Sequence, residues 1–340
     1  MTRLEFGCLA TAIGSMPHTD ASEPCRLVVK YLPHIPCWPQ LPRRSPKENM
    51  YLQFSDGFPG LVAEGNRLRI EVGADLDAGL ERLLTNSSGD LDVYQIDPDH
   101  AAGLYALPAF IPQATTLKGQ ITGPVSLGLC ITDAHNRGIV YDDTLAEALA
   151  RFLKLKARWQ EEFLRRIART TIIFVDEPYL TSLGTAFVAL SNETVTGLLI
   201  EVLSGLNGLK GIHCCGSTDW SLLLNTPIDI ISFDAYNYAD SFACYPTEVK
   251  SFLERGGNIA WGIVPNDEEA LEKESVPSLY DRLGEAIAPF TRNGIPFRQV
   301  AAQGLLTPSC GLASLSPEAA VRALEMLSEL SARIRSRFSF

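Results

Sequence analysis

Residues 171–176 read TIIFVD, a short apolar run that ends in an acid. The run follows a polar stretch, Thr144 to Arg169, in which apolar residues recur at the spacing of one helix face. These residues are Leu145, Leu149, Phe152, Leu155, Trp159, Phe163 and Ile167. The pattern predicts a helix that leads directly into a strand, which is the repeating unit of α/β proteins.

The same alternation extends in both directions along the chain. The other strand candidates are FGCLATAIGS (6–15), HIPCWPQLP (34–42), TLKGQITGP (116–124), LKGIHCC (209–215), DIISFDA (229–235), NIAWGIV (258–264) and RQVAAQGLL (298–306). Prolines weaken the run at 34–42. The clearest later helices are expected at 277–291 and 317–335. Eight strands separated by helix-sized segments predict one α/β domain over residues 1–340, a (β/α)8 TIM barrel; an open doubly wound sheet is the alternative.

One part of the N-terminal third departs from this alternation. Residues 51–73 read YLQFSDGFPGLVAEGNRLRIEVG, in which apolar and polar residues alternate around the turn-forming EGN. This pattern predicts a hairpin-like insertion over about residues 45–75. We find neither a GxGxxG opening a helix nor a P-loop, so the sequence gives no support for nucleotide binding.

Composition excludes several classes of partner. The 340 residues are 46% hydrophobic and 20% charged, enough apolar residues for a sizeable core. A net charge of −11 argues against nucleic-acid and membrane-surface binding. No apolar run approaches the ~18 residues of a membrane span, and the N-terminus lacks a secretory cleavage site. The eight cysteines are scattered, which indicates reduced thiols and a cytoplasmic protein.

Polar residues whose side chains can bind metals or take part in catalysis fall at or just past the carboxyl ends of predicted strands. They are Ser15, Asp176, Glu177, His213, Cys215, Asp234 and Cys310. In a barrel all these ends open on one face, where the loops that follow the strands build the active site. The sequence therefore predicts that these side chains converge.

His213 and Cys215 are two residues apart in an extended strand, so they point to the same face while Cys214 points away. An imidazole and a thiolate together are ligands that zinc prefers, although such a pair in a strand is also found as ordinary core. Cys310, in a loop marked by proline and glycine, is a third candidate ligand. Asp234 is either a fourth ligand or a helix cap that supports His213.

A set of short motifs, in a fixed order, carries a family resemblance. The motifs are AIGSMP (12–17), QITGPVS (120–126), FVDEPYL (174–180), HCC (213–215) and SCGL (309–312). With them the chain resembles the catalytic barrel of cobalamin-independent methionine synthase, and more closely the family's short single-barrel relatives. It also resembles the wider group that includes uroporphyrinogen decarboxylase and corrinoid-dependent methyltransferases.

The resemblance implies a zinc ion bound by His213, Cys215 and Cys310. Asp234 stands where the family has a glutamate, and its side chain is one methylene shorter. The resemblance therefore implies a ligand role for Asp234 that this departure puts in question.

The resemblance also implies an amino-acid site. Gly14 and Ser15 would hold the substrate carboxylate, and Asp176 would face its amino group. Glu177 would either support Asp176 or exchange roles with it, so both acids are candidate catalytic residues. A second acid for the amino group is implied within residues 45–75, at no assigned position.

The implied reaction is methyl transfer to homocysteine, giving methionine. Full-length relatives carry a further barrel that helps to bind folate, so the resemblance to single-barrel relatives favours methylcobalamin or a methylated corrinoid protein as donor. The alternatives are a corrinoid-protein methyltransferase acting on another thiol, such as a coenzyme thiol, and a zinc-storing or corrinoid-binding protein. A metal-free porphyrin-type decarboxylase is the third, with Arg43, Arg44 and Lys47 as anion-binding residues.

Overall fold

The computed structural model describes residues 4–65, 67–85, 90–111, 114–185 and 187–340. The strands are β1 (Leu9–Ala10), β2 (Leu61–Glu64), β3 (Arg67–Ile70), β4 (Ala114–Thr122), β5 (Ile131–Thr132), β6 (Ala168–Asp176), β7 (Leu209–Cys214), β8 (Ile230–Phe233), β9 (Asn258–Val264) and β10 (Gly304–Pro308).

The α-helices are α1 (Ser22–Tyr31), α2 (Met50–Ser55), α3 (Ala74–Thr85), α4 (Ala102–Ala106), α5 (Pro124–Cys130), α6 (Asp143–Arg165), α7 (Asn192–Leu203), α8 (Trp220–Leu224), α9 (Ala235–Ala243), α10 (Pro246–Glu254), α11 (Glu268–Lys273), α12 (Val276–Arg292), α13 (Phe297–Ala302) and α14 (Pro317–Phe338). Short 3-10 turns span Pro46–Glu48, Leu91–Tyr94, Pro98–His100, Leu107–Ala109, Ile139–Tyr141 and Pro178–Ser182. The long helices expected at 144–169, 277–291 and 317–335 are confirmed as α6, α12 and α14, with bounds that differ by a few residues.

The main sheet has seven parallel strands in the order β1-β10-β9-β8-β7-β6-β4. From β4 to β10, each strand of this sheet pairs with the one that precedes it in the chain, and β10 also pairs with β1. A doubly wound sheet instead reverses direction at a switch point. The expected α/β fold with a parallel sheet is therefore confirmed, and its single direction of winding is that of a barrel.

The segment 34–42 does not form the continuous strand expected from sequence. It makes two isolated parallel bridges, Cys37 with Lys118 of β4 and Gln40 with Ser15 beyond β1. Proline has no N–H to donate to a neighbouring strand, so a segment with prolines at 36, 39 and 42 cannot pair regularly. The segment still hydrogen-bonds to the chain on both sides of the gap between β4 and β1.

Two other expected strands are shorter than predicted. Of 6–15 only Leu9–Ala10 pairs as a strand, because Gly7 and Cys8 adopt left-handed backbone angles with φ of 56° and 59°. Of 298–306, the first part forms α13, and only Gly304 onward is strand. Alanine, arginine and glutamine favour helix, and their propensity prevails before the buried strand begins.

The hairpin expected within residues 51–73 is present. β2 and β3 are antiparallel, with Leu61 opposite Ile70 and Glu64 opposite Arg67, and β5 extends them to a small second sheet. Asn66 of the EGN turn lies outside the described residues. That residues 45–75 are an insertion into a single-domain barrel stays a prediction.

Alternate residues of the main strands lie in separate apolar clusters. Ile172 and Phe174 of β6 belong to a small cluster with residues of β8, β9 and β10, whereas Ile173 and Val175 belong to the large cluster packed under the helices. Since residues i and i+2 share a face, Asp176 continues the face of Ile172 and Phe174. The sheet therefore directs Asp176 away from the helices.

Among the described residues, no helix is both long and apolar enough to cross a membrane.

Candidate metal centre

His213, Cys215 and Cys310 converge in one place. Their ligand atoms, one ring nitrogen and two sulfurs, all lie within 4.8 Å of one another. His213 is in β7 and Cys215 directly follows that strand, while Cys310 lies just past β10. The structure thus brings together three residues that are up to 97 positions apart, as expected from the placement of each at the end of a strand.

The His213 ring has one partnered and one unpartnered nitrogen. Nδ1 lies 3.0 Å from the hydroxyl of Ser232, in the neighbouring strand β8. Nε2 is buried and has no hydrogen-bond partner. A buried polar atom without a partner is costly, and in metal sites one ring nitrogen binds the ion while the other is oriented by a hydrogen bond. The ring environment therefore fits a metal ligand.

The two thiols interact closely. A hydrogen bond from Cys310 lowers the pKa of the Cys215 thiol, and His213 beside it lowers that pKa further. The same hydrogen bond, together with burial, raises the pKa of Cys310. The pair therefore favours a thiolate at Cys215. Two sulfurs and one imidazole nitrogen are a donor set suited to zinc.

Asp234 is not part of this convergence. It directly follows β8 and caps α9, its Oδ1 accepting from Asn237 N at 2.9 Å and its Oδ2 from Asn237 Nδ2 at 2.7 Å. Both oxygens are thus occupied by donors from one residue. Burial raises the pKa of Asp234, while His213 nearby acts in the opposite direction. The geometry matches the helix-cap interpretation, and direct metal ligation by Asp234 stays a prediction.

The three candidate ligands line a cavity of about 290 Å³ that Asp176, Ser15 and Glu48 also line. Asp176 is the last residue of β6, and its Oδ1 is buried without a partner. Burial raises the pKa of Asp176 to about 6, and His213 and Lys118 oppose that rise. The cavity therefore contains an acid oxygen that can receive a hydrogen-bond donor from a bound ligand.

Gly14 lies beside the cavity and Ser15 in its wall. Gly14 has a φ of 151°, and a Cβ there would lie 2.7 Å from the Gln120 side chain and 2.8 Å from Gln40 Oε1. No other residue fits this approach without displacing both glutamines. Gly14 therefore fixes the path of the backbone, and Ser15 is the residue of the pair that reaches the cavity.

Glu177 faces a different direction from Asp176. Its carboxylate accepts hydrogen bonds from Val125 N (2.9 Å), Ser126 N (2.8 Å) and Ser126 Oγ (2.6 Å). A Cβ at Gly123 would lie 2.1 Å from Glu177 Oε1, so the glycine of the TGPVS stretch makes room for this contact. Burial raises the pKa of Glu177 to about 7, and the three donors oppose that rise. The geometry is that of an anchor between the end of β6 and the start of α5.

We expect Glu177→Gln to lower the free energy of unfolding by ~1–3 kcal/mol, because an amide N–H₂ in place of one carboxylate oxygen leaves buried donors unpaired, a cost that exceeds the gain from burying a neutral group. Urea denaturation of the purified variant measures this change. Glu162→Gln, at an exposed glutamate, is the matched control and should change stability little. Unchanged stability with lost turnover would instead support the catalytic role expected for Glu177.

Sequence reasoning missed several residues around the cavity. Glu48, inside the 45–75 region, is buried in the cavity wall and forms a 2.8 Å ion pair with Arg44. Ser232 orients His213, and Gln40 closes the cavity beside Ser15. Of these three residues, only Ser232 could have been found from the sequence. Once the register of the parallel strands β7 and β8 is known, Ser232 stands opposite His213. The other two depend on the path of an irregular segment.

No protein-family model matches the chain, and a search of curated proteins found no match. Solved structures do match. A B12-independent methionine synthase from Shewanella sp. W3-18-1, solved with selenomethionine, is 17% identical over 99% of both chains, with a TM-score of 0.61.

Two further structures are similar to the chain. A B12-independent methionine synthase from Listeria monocytogenes, so described provisionally, is 16% identical over 96% of this chain and 97% of its own, with a TM-score of 0.54. A methyltransferase from Methanosarcina mazei is 12% identical over 97% and 94%, with a TM-score of 0.51. The resemblance expected from the motifs is thus confirmed at the level of the fold: this chain has the fold of solved B12-independent methionine synthases.

Proposed function

We propose that this protein is a zinc-dependent methyltransferase that transfers a methyl group to a small thiol, with homocysteine as the favoured acceptor and methionine as the product. The observation that carries the proposal is the convergence of a His213 ring nitrogen and the sulfurs of Cys215 and Cys310 at the wall of a cavity. The fold shared with solved methionine synthases and a methyltransferase supports the same reaction class.

His213, Cys215 and Cys310 would hold the zinc ion. When bound, zinc supplies the positive charge that keeps a substrate thiol deprotonated at neutral pH, where a free thiol is only a few per cent thiolate. Ser232 would keep the His213 ring in the orientation that directs Nε2 into the site. Asp234, as the cap of α9, would hold the end of β8 beside His213 rather than bind the ion.

The amino-acid end of the substrate would lie beside the candidate metal ligands, because Asp176 of β6 pairs in register with His213 of β7 and lines the same cavity. Asp176 presents a buried oxygen without a partner, which suits a substrate ammonium group. Ser15 would donate to the substrate carboxylate from the segment that Gly14 positions. Glu48 adds a second acid to the wall, but both of its oxygens already have donors: Oε1 pairs with Arg44 and Oε2 accepts from Leu41 N at 2.9 Å. A volume of about 290 Å³ suits a small amino acid better than a large ligand.

The proposed methyl donor is methylcobalamin or a methylated corrinoid protein. The support for it is the sequence resemblance to single-barrel relatives of methionine synthase. Two structural neighbours are described as B12-independent, which is a reason to test a methylated folate beside the corrinoid. In either case the acceptor sulfur attacks the methyl carbon, the S–C bond forms as the bond from that carbon to the donor breaks, and the donor leaves with the bonding electron pair.

The test is an assay of zinc-loaded protein with a panel of acceptors and donors. The acceptors are homocysteine, a coenzyme-type thiol without an amino group and dithiothreitol; the donors are methylcobalamin and a methylated folate. We expect methionine from homocysteine and methylcobalamin, with at least ~10-fold lower turnover of the other thiols. No methyl transfer from any donor to any thiol, by protein that contains zinc, would contradict the proposal and favour a zinc-storing protein.

Two alternatives are distinguished by the same panel and by the structure. A corrinoid-protein methyltransferase of another specificity would methylate the coenzyme-type thiol in preference to homocysteine. A metal-free porphyrin-type decarboxylase needs free basic residues, but Arg44 is paired with Glu48 and Lys47 with Asp99, and Arg43 donates to a backbone carbonyl. These pairings disfavour the decarboxylase.

A further inference from the structure

Cys310 is held differently from the two ligands at β7. His213 is part of a strand paired on both sides, so the sheet fixes its backbone. Cys310 lies in the loop after β10, where no strand or helix includes it. Backbone hydrogen bonds hold this loop at Ser309, whose N donates to Val264 O at 2.7 Å, and at Leu312, whose N donates to Ser15 O at 2.9 Å. The stretch between them carries the Cys310 sulfur, and its position depends on side-chain contacts as well.

The residues on both sides of Cys310 are bound to one side chain, that of Asn266. Its Oδ1 accepts from Ser309 Oγ at 2.8 Å, and its Nδ2 donates to the carbonyl oxygen of Gly311 at 3.3 Å. Asn266 follows β9, the neighbour of β10 in the sheet. One amide therefore spans the residue before Cys310 and the residue after it.

The hydrogen-bond directions are mutually consistent. Asn266 N donates to Ser309 Oγ at 3.1 Å, which leaves the Ser309 hydroxyl hydrogen to be donated to Asn266 Oδ1. The Gly311 carbonyl can only accept, so the amide nitrogen must face it. Ser309 is fully buried, so these bonds have no competition from water at that residue. Only a side chain with both a donor and an acceptor on one plane satisfies both neighbours of Cys310.

We propose that Asn266 is a positioning residue for the metal site: it sets the place of the Cys310 sulfur and thereby the affinity for zinc. The inference rests on the proposed function, because it assumes that Cys310 is a ligand. Asn266 itself touches neither the cavity nor the candidate ligand atoms. Residues that orient ligands contribute ~10–100-fold to metal affinity, and this is the effect expected of Asn266.

The experiment compares wild type with Asn266→Ala, which removes both bonds, and Asn266→Asp, which keeps the acceptor and loses the donor to Gly311. Zinc affinity is measured by competition with a chromophoric chelator. We expect a ~10–100-fold loss in Asn266→Ala and a loss in the same direction in Asn266→Asp. Asn225→Ala, which removes an exposed amide bond to Ser221, is the matched control and should leave zinc affinity unchanged.

A second readout separates ligand positioning from general stability. Cobalt(II) substituted for zinc reports thiolate ligands through sulfur-to-metal absorption, and Asn266→Ala should lose up to about half of it if one of two sulfurs is displaced. Circular dichroism establishes that each variant is folded.

The outcomes separate the two proposals. If wild type binds zinc and both Asn266 variants bind it equally well with the same cobalt spectrum, the inference is wrong and the proposed function stands. If wild type itself binds no zinc, both are wrong.

Discussion

Replacing Cys310 with serine is expected to abolish zinc binding. Protein purified without chelators should contain about one zinc per chain in wild type and little or none in Cys310→Ser, because a serine hydroxyl does not ionise near neutral pH and is a poor substitute for a soft thiolate. The Cys310 sulfur lies within 4.8 Å of His213 and Cys215, so its loss leaves two ligands where zinc requires at least three. Methyl transfer should fall with the metal content.

Elemental analysis under reducing conditions measures this effect directly. Cys244→Ser, at an exposed free cysteine outside the site, is the matched control and should retain the wild-type zinc content. If Cys310→Ser keeps full zinc and full activity, Cys310 is not a ligand and the thiol-activation proposal fails. Loss of zinc in Cys310→Ser, with zinc retained in Cys244→Ser, would support one ion shared by residues at the ends of β7 and β10.

The convergence of His213 and Cys215 at the candidate metal site could be predicted from sequence because a regular strand sets the direction of both side chains. The i, i+2 spacing within an extended strand places His213 and Cys215 on one face, and parallel strands open at one edge of the sheet. The same rule directed Cys214 away, and Cys214 is fully buried in the cluster beneath the helices. Cys310 required one further step, the assumption that a loop after β10 reaches the same edge.

The rest depended on contacts that strand periodicity does not encode. Glu48 reaches the cavity only because the segment 34–42, interrupted by prolines, crosses between β4 and the chain beyond β1. Asp176 and Glu177 are consecutive acidic residues that the sequence does not tell apart. Only the three hydrogen-bond donors around Glu177 show that Glu177 anchors β6 to α5 while Asp176 lines the cavity. Asn266 belongs to no sequence motif, because the role proposed for it depends on how the loop after β9 faces the loop after β10.

Asp176→Asn is expected to reduce kcat/KM for homocysteine by ~10²–10⁴-fold, the second large effect. The change keeps the size of the side chain but removes the charge opposite the substrate ammonium group. Breaking a buried charge pair by neutralising one partner costs ~3–5 kcal/mol, which corresponds to that range of rate ratios. The measurement is steady-state kinetics on zinc-loaded wild type and variant.

The matched comparison is the same thiol acid without its amino group. With that acceptor, Asp176→Asn should change kcat/KM by less than about 3-fold, because no ammonium is present to lose its partner. Burial raises the pKa of Asp176 to about 6, so its ionised form at pH 7 opposes folding, and the neutral variant should unfold at the same or higher temperature. An equal loss with both acceptors would show that Asp176 acts on the reacting sulfur or on the metal site instead of on the amino group. Greater stability together with selective loss of the amino-acid substrate is therefore the result that assigns the unpartnered oxygen of Asp176 to the substrate ammonium.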